Sequence, residues 1–324
     1  MSVSVFAPAS IGNMSVGFDV LGVAVKPVDG TLLGDIVTVE ASPENRLTVV
    51  GAFANKLPQD PKENIVWDCL QLFNESLLQS GQQPVTVNII LEKKMPVGSG
   101  LGSSACSVVA ALEALNYFYK VTTEFQFSKA VMLKLMGRME AQISGSLHYD
   151  NVAPCYYGGI QLMVPDDNVI CQTLPQFEDC YYVMAYPGIE VSTKAAREVL
   201  PASYSRKDVI TFGQNLATFV DACHRGNKAL AFSVVNDVIA QPYRQHLLPG
   251  FEQACAHLHE QGCLAVGISG SGPTLFCVTD NEQKANDFAN WLKAHYLQTL
   301  STGQSEGFVH VCRVDNQGAC PINK

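Results

Sequence analysis

Apolar residues change rhythm several times along the chain. Alternation or short unbroken runs predict strands over 3–7, 20–25, 35–41 and 47–51, broken by Pro, Gly and Asp clusters. From 64 to 80 the period becomes helical. Ile65, Cys69, Leu72, Phe73 and Leu77 share one face, and Gly81 ends the run. Residues 85–91 alternate again as a strand. A helix of small and apolar residues follows from Ser103 to about Tyr119, then another over 128–143 with Ser128 as its N-cap. Gly158 and Gly159 open a strand over 160–164. The turn-rich Pro165-Asp166-Asp167-Asn168 is the expected boundary between a first domain, 1–166, and a second, 167–324. Beyond it the pattern predicts a strand at 181–186 and helices over 192–200, 205–225, 227–239 and 250–261. Strands at 264–269 and 274–278, a helix at 281–300 and a strand at 307–314 complete the reading. The mixture lacks strict βαβ repetition and reads as α+β in two parts.

Composition narrows the class. The chain has 324 residues, 47% hydrophobic and 16% charged, enough for a sizeable core. Its net charge of −9 and its lack of Lys/Arg runs argue against nucleic acid or anionic membranes as partners. No apolar run approaches the roughly 18 residues that span a bilayer, and the N-terminus reads as a strand without a basic leader. The eleven cysteines show no zinc spacing, and Cys69, Cys106, Cys155 and Cys277, set in apolar patterns, are expected to be reduced core residues. A cytoplasmic location is the expectation.

The most informative segment is Pro96-Val97-Gly98-Ser99-Gly100-Leu101-Gly102-Ser103-Ser104-Ala105-Cys106, between a strand and a helix. A Gly-rich turn opening a helix exposes backbone N–H groups where the helix dipole is positive, which suits phosphate. A tight turn with a Ser cap is the plainer alternative. A P-loop would need Gly-Lys-Ser/Thr at its end, and the glycine spacing is not that of a dinucleotide fingerprint. The run resembles the nucleotide loop P-x-G-x-G-L-G-S-S-A of the GHMP small-molecule kinases.

Four further constellations carry the same resemblance, in family order. Pro8 to Gly22 holds Asn13 and Asp19 in a loop of small residues, read either as turn residues or as a polar floor for an amine-bearing substrate. It is similar to the homoserine kinase form of the first family motif, with Ser10 where some relatives carry a catalytic Lys. Glu140 to Pro154 clusters Glu140, His148, Asp150 and Asn151 near a helix end, ahead of Gly158-Gly159. By resemblance, Glu140 and the Ser104 hydroxyl hold Mg²⁺, which takes few protein oxygens beside phosphate. Asn151 stands where mevalonate kinases place a proposed base, so the resemblance implies transfer driven by positioning and charge stabilisation. Ser192-Thr193-Lys194-Ala195-Ala196-Arg197 is read as a helix start, and Pro242-Tyr243-Arg244 as a loop. Surface placement of both Arg stays open from the residues alone; the resemblance makes them a carboxylate clamp, a role suited to the planar guanidinium fork. Ala265 to Thr274 reads as a glycine hairpin and matches the C-terminal family motif, placing Gly270 near the substrate.

The resemblance implies a two-domain fold, a ribosomal protein S5 domain 2-like N-terminal domain and a ferredoxin-like C-terminal domain, with the site between them. It implies ATP and Mg²⁺, and phosphorylation of L-homoserine to O-phospho-L-homoserine in threonine biosynthesis. Asn13, Asp19, His148, Thr193, Arg197, Arg244 and Gly270 would bind substrate. Asn151, His148, Ser104 and Glu140 would serve transfer. A homodimer, another GHMP acceptor such as mevalonate or a sugar, and a silent nucleotide-binding regulator remain open at this point.

Overall fold

The computed structural model describes residues 1–297 and 306–322. The chain opens with β1 (Ser2–Pro8), β2 (Ser10–Gly12), β3 (Leu21–Pro27), β4 (Gly34–Ala41) and β5 (Arg46–Val50). Next come α1 (Ile65–Gln79), β6 (Val87–Glu92), α2 (Ser103–Thr123), α3 (Lys129–Ser144), α4 (Val152–Tyr157), β7 (Ile160–Met163) and β8 (Cys171–Leu174). The remainder is β9 (Tyr181–Tyr186), α5 (Thr193–Glu198), α6 (Arg206–His224), α7 (Lys228–Ser233), α8 (Gln241–Arg244), α9 (Phe251–Glu260), β10 (Ala265–Ile268), β11 (Leu275–Thr279), α10 (Glu282–His295), β12 (Phe308–Val314) and β13 (Cys320–Ile322).

Two sheets carry the fold. The smaller has the order β13-β1-β4-β6-β5, with β5 and β6 parallel and the other pairs antiparallel. The larger runs β10-β11-β9-β12-β3-β7-β8, with β2 on β3, and every pair is antiparallel. Helix α2 lies on β1 and β4 and is flanked by α1 and α3. It is buried nearly all round, so Ala105, Ala110, Ala111 and Ala114 let its backbone approach the sheet, while Val108, Leu112, Leu115 and Phe118 fill the gaps. A second apolar cluster seats Phe251 and Leu258 of α9 and Phe288 and Leu292 of α10 against Val183, Val266 and Leu275. No helix among the described residues is long and apolar enough to cross a membrane.

Most long elements fall where periodicity predicts them, and the shorter ones depart for local reasons. The predicted helix at 192–200 stops at Glu198, three residues before Pro201, so Arg197 sits in its last turn rather than its first. A cation there is favoured by the dipole. The helix at 227–239 ends at Ser233, because the Asp237 carboxylate draws the N–H groups of Ile239, Ala240 and Gln241 into a separate turn. Residues 242–244, read as loop, belong to α8, with Pro242 in its first turn where a missing N–H costs nothing. Elements β2, α4, β8 and β13 are too short for a periodic signal. The Pro165–Asn168 cluster is the turn between β7 and β8, and positions 298–300 of the helix predicted over 281–300 lie outside the described residues.

Candidate active site

The glycine segment delivers a helix N-terminus without a side-chain cap. Gly98, Gly100 and Gly102 all adopt left-handed φ, at 62°, 77° and 66°. A Cβ on Gly100 would lie 2.5 Å from the Ser269 carbonyl oxygen, and one on Gly102 would lie 2.3 Å from Ser10 Oγ, so only glycine fits. Gly102 is the N-cap of α2 and supplies no side-chain bond, which leaves the first-turn N–H groups for a ligand. The β10–β11 connection braces this turn. Ser269 Oγ donates to the Gly100 carbonyl at 2.7 Å, and Thr274 Oγ1 donates to the Ser99 carbonyl at 2.7 Å. The motif at 265–274 thus supports the phosphate-cradle geometry of the glycine segment.

The first turn of α2 also presents Ser104, whose hydroxyl donates to Glu140 Oε1 at 2.7 Å from the end of α3. Glu140 is buried, and burial pushes its carboxyl above the usual range while Ser104 and His148 pull it back. His148 Nδ1 and Asp150 Oδ1 are 2.9 Å apart. Burial works to lower the His148 pKa. The Asp150 hydrogen bond and charge, joined by Asp19, outweigh it and raise the imidazole above its ordinary value. His148 Nε2 is buried with no hydrogen-bond partner among the described residues. Asn151 is held at both ends of its amide. Its Oδ1 accepts from Ser10 Oγ at 2.9 Å, and its Nδ2 donates to Asp150 Oδ2 at 3.2 Å.

The loop between β2 and β3 is strained: Asn13, Met14, Ser15 and Asp19 all have positive φ. Asn13 Oδ1 accepts the Asp19 N–H at 2.8 Å, and Asn13 Nδ2 donates to the Gly270 carbonyl at 3.1 Å. Asp19 then takes Arg197 in a bidentate pair, Nη2 to Oδ1 at 2.9 Å and Nη1 to Oδ2 at 3.2 Å. Arg197 therefore reaches the cavity already paired, and its Nε is buried without a partner among the described residues. Arg244 is buried; Nε donates to the Ala196 carbonyl at 2.8 Å and Nη1 to the Gly270 carbonyl at 3.2 Å. Burial lowers its pKa, opposed by the charges of Asp237 and Asp19. Both guanidinium groups approach the Phe18 ring, at 5.9 Å for Arg197 and 5.4 Å for Arg244. Thr193 Oγ1 lies 3.5 Å from Ser271 Oγ at the start of α5.

These groups share one cavity of about 410 Å³, a size suited to a small-molecule site. Asn13, Asp19, His148, Asn151, Thr193, Arg197, Arg244 and Gly270 all line it, as do Ser104 and Glu140. Val97, Gly98, Ser99, Gly100, Gly102 and Ser103 of the glycine segment do so too. Pro96 does not line it, and Leu101, Ala105 and Cys106 are turned into the core. Cys106 Sγ donates to the Pro8 carbonyl at 3.3 Å.

Comparison with known proteins fits this geometry. Family models described as GHMP kinases N terminal domain and GHMP kinases C terminal match residues 64–159 and 219–298. The solved structure of homoserine kinase from Cytophaga hutchinsonii is 32% identical, covers 99% of this chain and 97% of its own, and superposes with a TM-score of 0.87. The chain belongs to the GHMP kinase family. Two more distant structures share the fold with this GHMP kinase. A Listeria monocytogenes protein provisionally described as a homoserine kinase has 20% identity, TM-score 0.68, and covers 99% of this chain and 100% of its own. Mevalonate kinase from Methanococcus jannaschii has 17% identity, TM-score 0.65, and covers 97% and 98%.

The GHMP kinase site has parts that sequence reasoning missed. Lys93, at the end of β6, lines the cavity yet is 1% exposed. Its Nζ donates to Asp35 Oδ2 at 2.6 Å, the Ser103 carbonyl at 2.8 Å and Ser107 Oγ at 2.9 Å. Asp35 Oδ1 accepts the N–H groups of Lys94 and Met95 at 2.9 and 3.0 Å. One buried ion pair thus fastens both limbs of the glycine turn. Asn64, which caps α1 through Val66 N at 3.0 Å, also lines the cavity beside the apolar Leu57, Pro58 and Ile65. A capping Asn before an apolar helix was legible as a cap; its place in the cavity was not.

Proposed function

We propose that this GHMP kinase transfers the γ-phosphoryl group of ATP to the side-chain hydroxyl of L-homoserine, giving O-phospho-L-homoserine for threonine biosynthesis. The observation that carries the reading is the charge pattern of the acceptor wall. Asp19, Arg197, Arg244 and His148 bring both signs of charge to one cavity, as an α-amino acid zwitterion requires. An acid without an amine would present no cation to Asp19, leaving it only its pair with Arg197. The likeness to a homoserine kinase at 32% identity supports the same acceptor.

In this reading the first-turn N–H groups of α2 and the left-handed glycines hold the ATP phosphates. Ser104 and Glu140 offer the hard oxygen donors Mg²⁺ takes beside phosphate oxygens, and they sit on the wall that carries the phosphate cradle. When bound, Mg²⁺ supplies neutralisation of phosphate charge. Arg244 receives the substrate carboxylate, with Arg197 beside it. Asp19 and the loop it shares with Asn13 receive the ammonium group. The Asn151 amide accepts no proton, and Ser10 is committed to it as a donor. Asn151 therefore orients the acceptor hydroxyl or a phosphate oxygen. Phosphoryl transfer through a loose transition state needs little activation of the nucleophile. The hydroxyl proton leaves late, to a phosphate oxygen. A coupled ADP-release assay across L-homoserine, serine, mevalonate and galactose tests the proposal. Turnover confined to homoserine supports it, and turnover with mevalonate or galactose in its place overturns it.

A further inference from the structure

Arg244 stands at the C-terminal end of α8, a helix of only four residues. Four residues do not hold a helix by their own hydrogen bonds, because nucleation fixes several dihedral angles for one bond. The N-cap of α8, Ala240, brings no side-chain acceptor. The missing support comes from Asp237, which does not line the cavity. Its Oδ1 accepts from Ile239 N and Ala240 N, both at 2.8 Å, and its Oδ2 accepts from Gln241 N at 3.0 Å. One carboxylate thereby organises the three residues that lead into α8, with its negative charge at the helix start and Arg244 at the helix end.

We propose that Asp237 is a positioning residue for acceptor recognition, aiming the Arg244 guanidinium through the backbone of α8. Three anchors then define the fork. Asp237 fixes the helix from which the side chain leaves, the Ala196 carbonyl holds Nε, and the Gly270 carbonyl holds Nη1. Those carbonyls leave Nη2 without a bond to the described residues, so this nitrogen is the donor whose direction Asp237 governs. Burial of Asp237 pushes its carboxyl upward, and the three N–H groups together with Arg244 pull it back. That bonding makes a carboxylate tolerable here, where an unpartnered one would not be. A turn braced only by apolar packing would leave the same three N–H groups orphaned.

The inference rests on the homoserine reading and is tested in a way that separates the two. Full-length Asp237→Ala, Asp237→Asn, Arg244→Lys and the double variant Asp237→Ala/Arg244→Lys are compared by steady-state kinetics, with ATP and homoserine varied independently. Loss of one aimed, charge-assisted bond should raise the homoserine KM of Asp237→Ala about ten- to a hundredfold. The ATP KM should stay within about twofold, since Asp237 touches no part of the phosphate cradle. Asp237→Asn keeps an acceptor oxygen and should recover most of the loss. The double variant should bind homoserine no worse than Arg244→Lys alone. Equal changes in both KM values, an Asn variant as damaged as the Ala variant, or additive losses in the double variant would each overturn the positioning role. Should Asp237→Ala fail to fold, Asp237→Ser, whose single hydroxyl oxygen cannot replace both carboxylate oxygens, reads the same coupling in cycle with Arg244→Lys. If wild type turns over another acceptor and not homoserine, the homoserine reading fails, and the same KM split measured with that acceptor decides the role of Asp237.

Discussion

Replacing Lys93 alone should harm this kinase more than replacing it together with Asp35. The pair is 2.6 Å apart, with side chains 2% and 0% exposed. Lys93→Met removes the cation and strands the Asp35 carboxylate in the core, supported among the described residues by Ser107 and the N–H groups of Lys94 and Met95. Breaking a buried pair by removing one member costs about 3–5 kcal/mol, whereas replacing both is often close to neutral. The surviving hydrogen bonds place the single variant near the lower end, at about 3 kcal/mol. Unfolding entropy runs at about 2.1 cal/mol/K per residue. For 324 residues melting as one unit, the loss then lowers Tm by about 4 °C. Lys93→Met/Asp35→Asn removes the stranded charge and keeps an acceptor for the two N–H groups, so it should recover more than half of the loss. Calorimetric melts of the two single variants and the double, with ATP KM measured beside them, form a double-mutant cycle. A Lys93→Met protein melting within about 1 °C of wild type would refute the reasoning. So would a double variant as unstable as the two single losses added together.

Other expectations follow from the same geometry. Glu140→Gln should lower activity in a way that added Mg²⁺ partly restores; an unshifted Mg²⁺ midpoint would remove Glu140 from the metal site. His148 has a raised pKa, so its stabilising contribution is complete below its unfolded value of about 6.5 and is lost as pH rises through the folded value. The Tm gap between wild type and His148→Gln should therefore be wider at about pH 6 than at about pH 9, and an equal gap would show that the Asp150 and Asp19 charges do not hold the proton. Asn151→Ala should slow turnover through lost positioning. Wild-type kcat should show no acidic limb from a carboxylate base between about pH 5 and 8, and a limb abolished by Asp150→Asn, His148→Gln or Asp19→Asn would name the base instead.

The parts of the site that were legible in sequence are those that only particular residues can build. Left-handed turns before an N-terminus demand glycine, so Gly98, Gly100 and Gly102 announce the cradle wherever the sheets happen to lie. A helical period is likewise local, and α1, α2, α3, α6 and α9 follow from it. What stayed hidden depends on distant segments meeting. Asp35 sits in β4 and Lys93 just past the end of β6, where a charge ordinarily faces solvent; the packing of α2 across β1 and β4 encloses them. Asp19 and Arg197 are 178 residues apart, so their pairing carries no local signal. The bracing of Gly100 by Ser269 comes from 169 residues away. Short elements such as α8 depend on a single side chain rather than on a period, and Asp237 is legible as a cap only once the turn is seen.

The order of strands has a consequence for how the protein is made. β12 lies between β9 and β3, and β13 forms the edge beside β1, so two strands drawn from residues 308–322 complete both sheets. On the ribosome, β1 and β3 emerge long before β12 and β13, the strands that pair with them. Until then each presents an open row of backbone donors and acceptors, the kind of edge that pairs wrongly with a neighbouring nascent chain. Such long-range closure also slows folding relative to a fold whose neighbours in space are neighbours in sequence. For this fold the vulnerable interval is the time between synthesis of β3 and release of β12, and a premature stop before Phe308 leaves the larger sheet split through its middle.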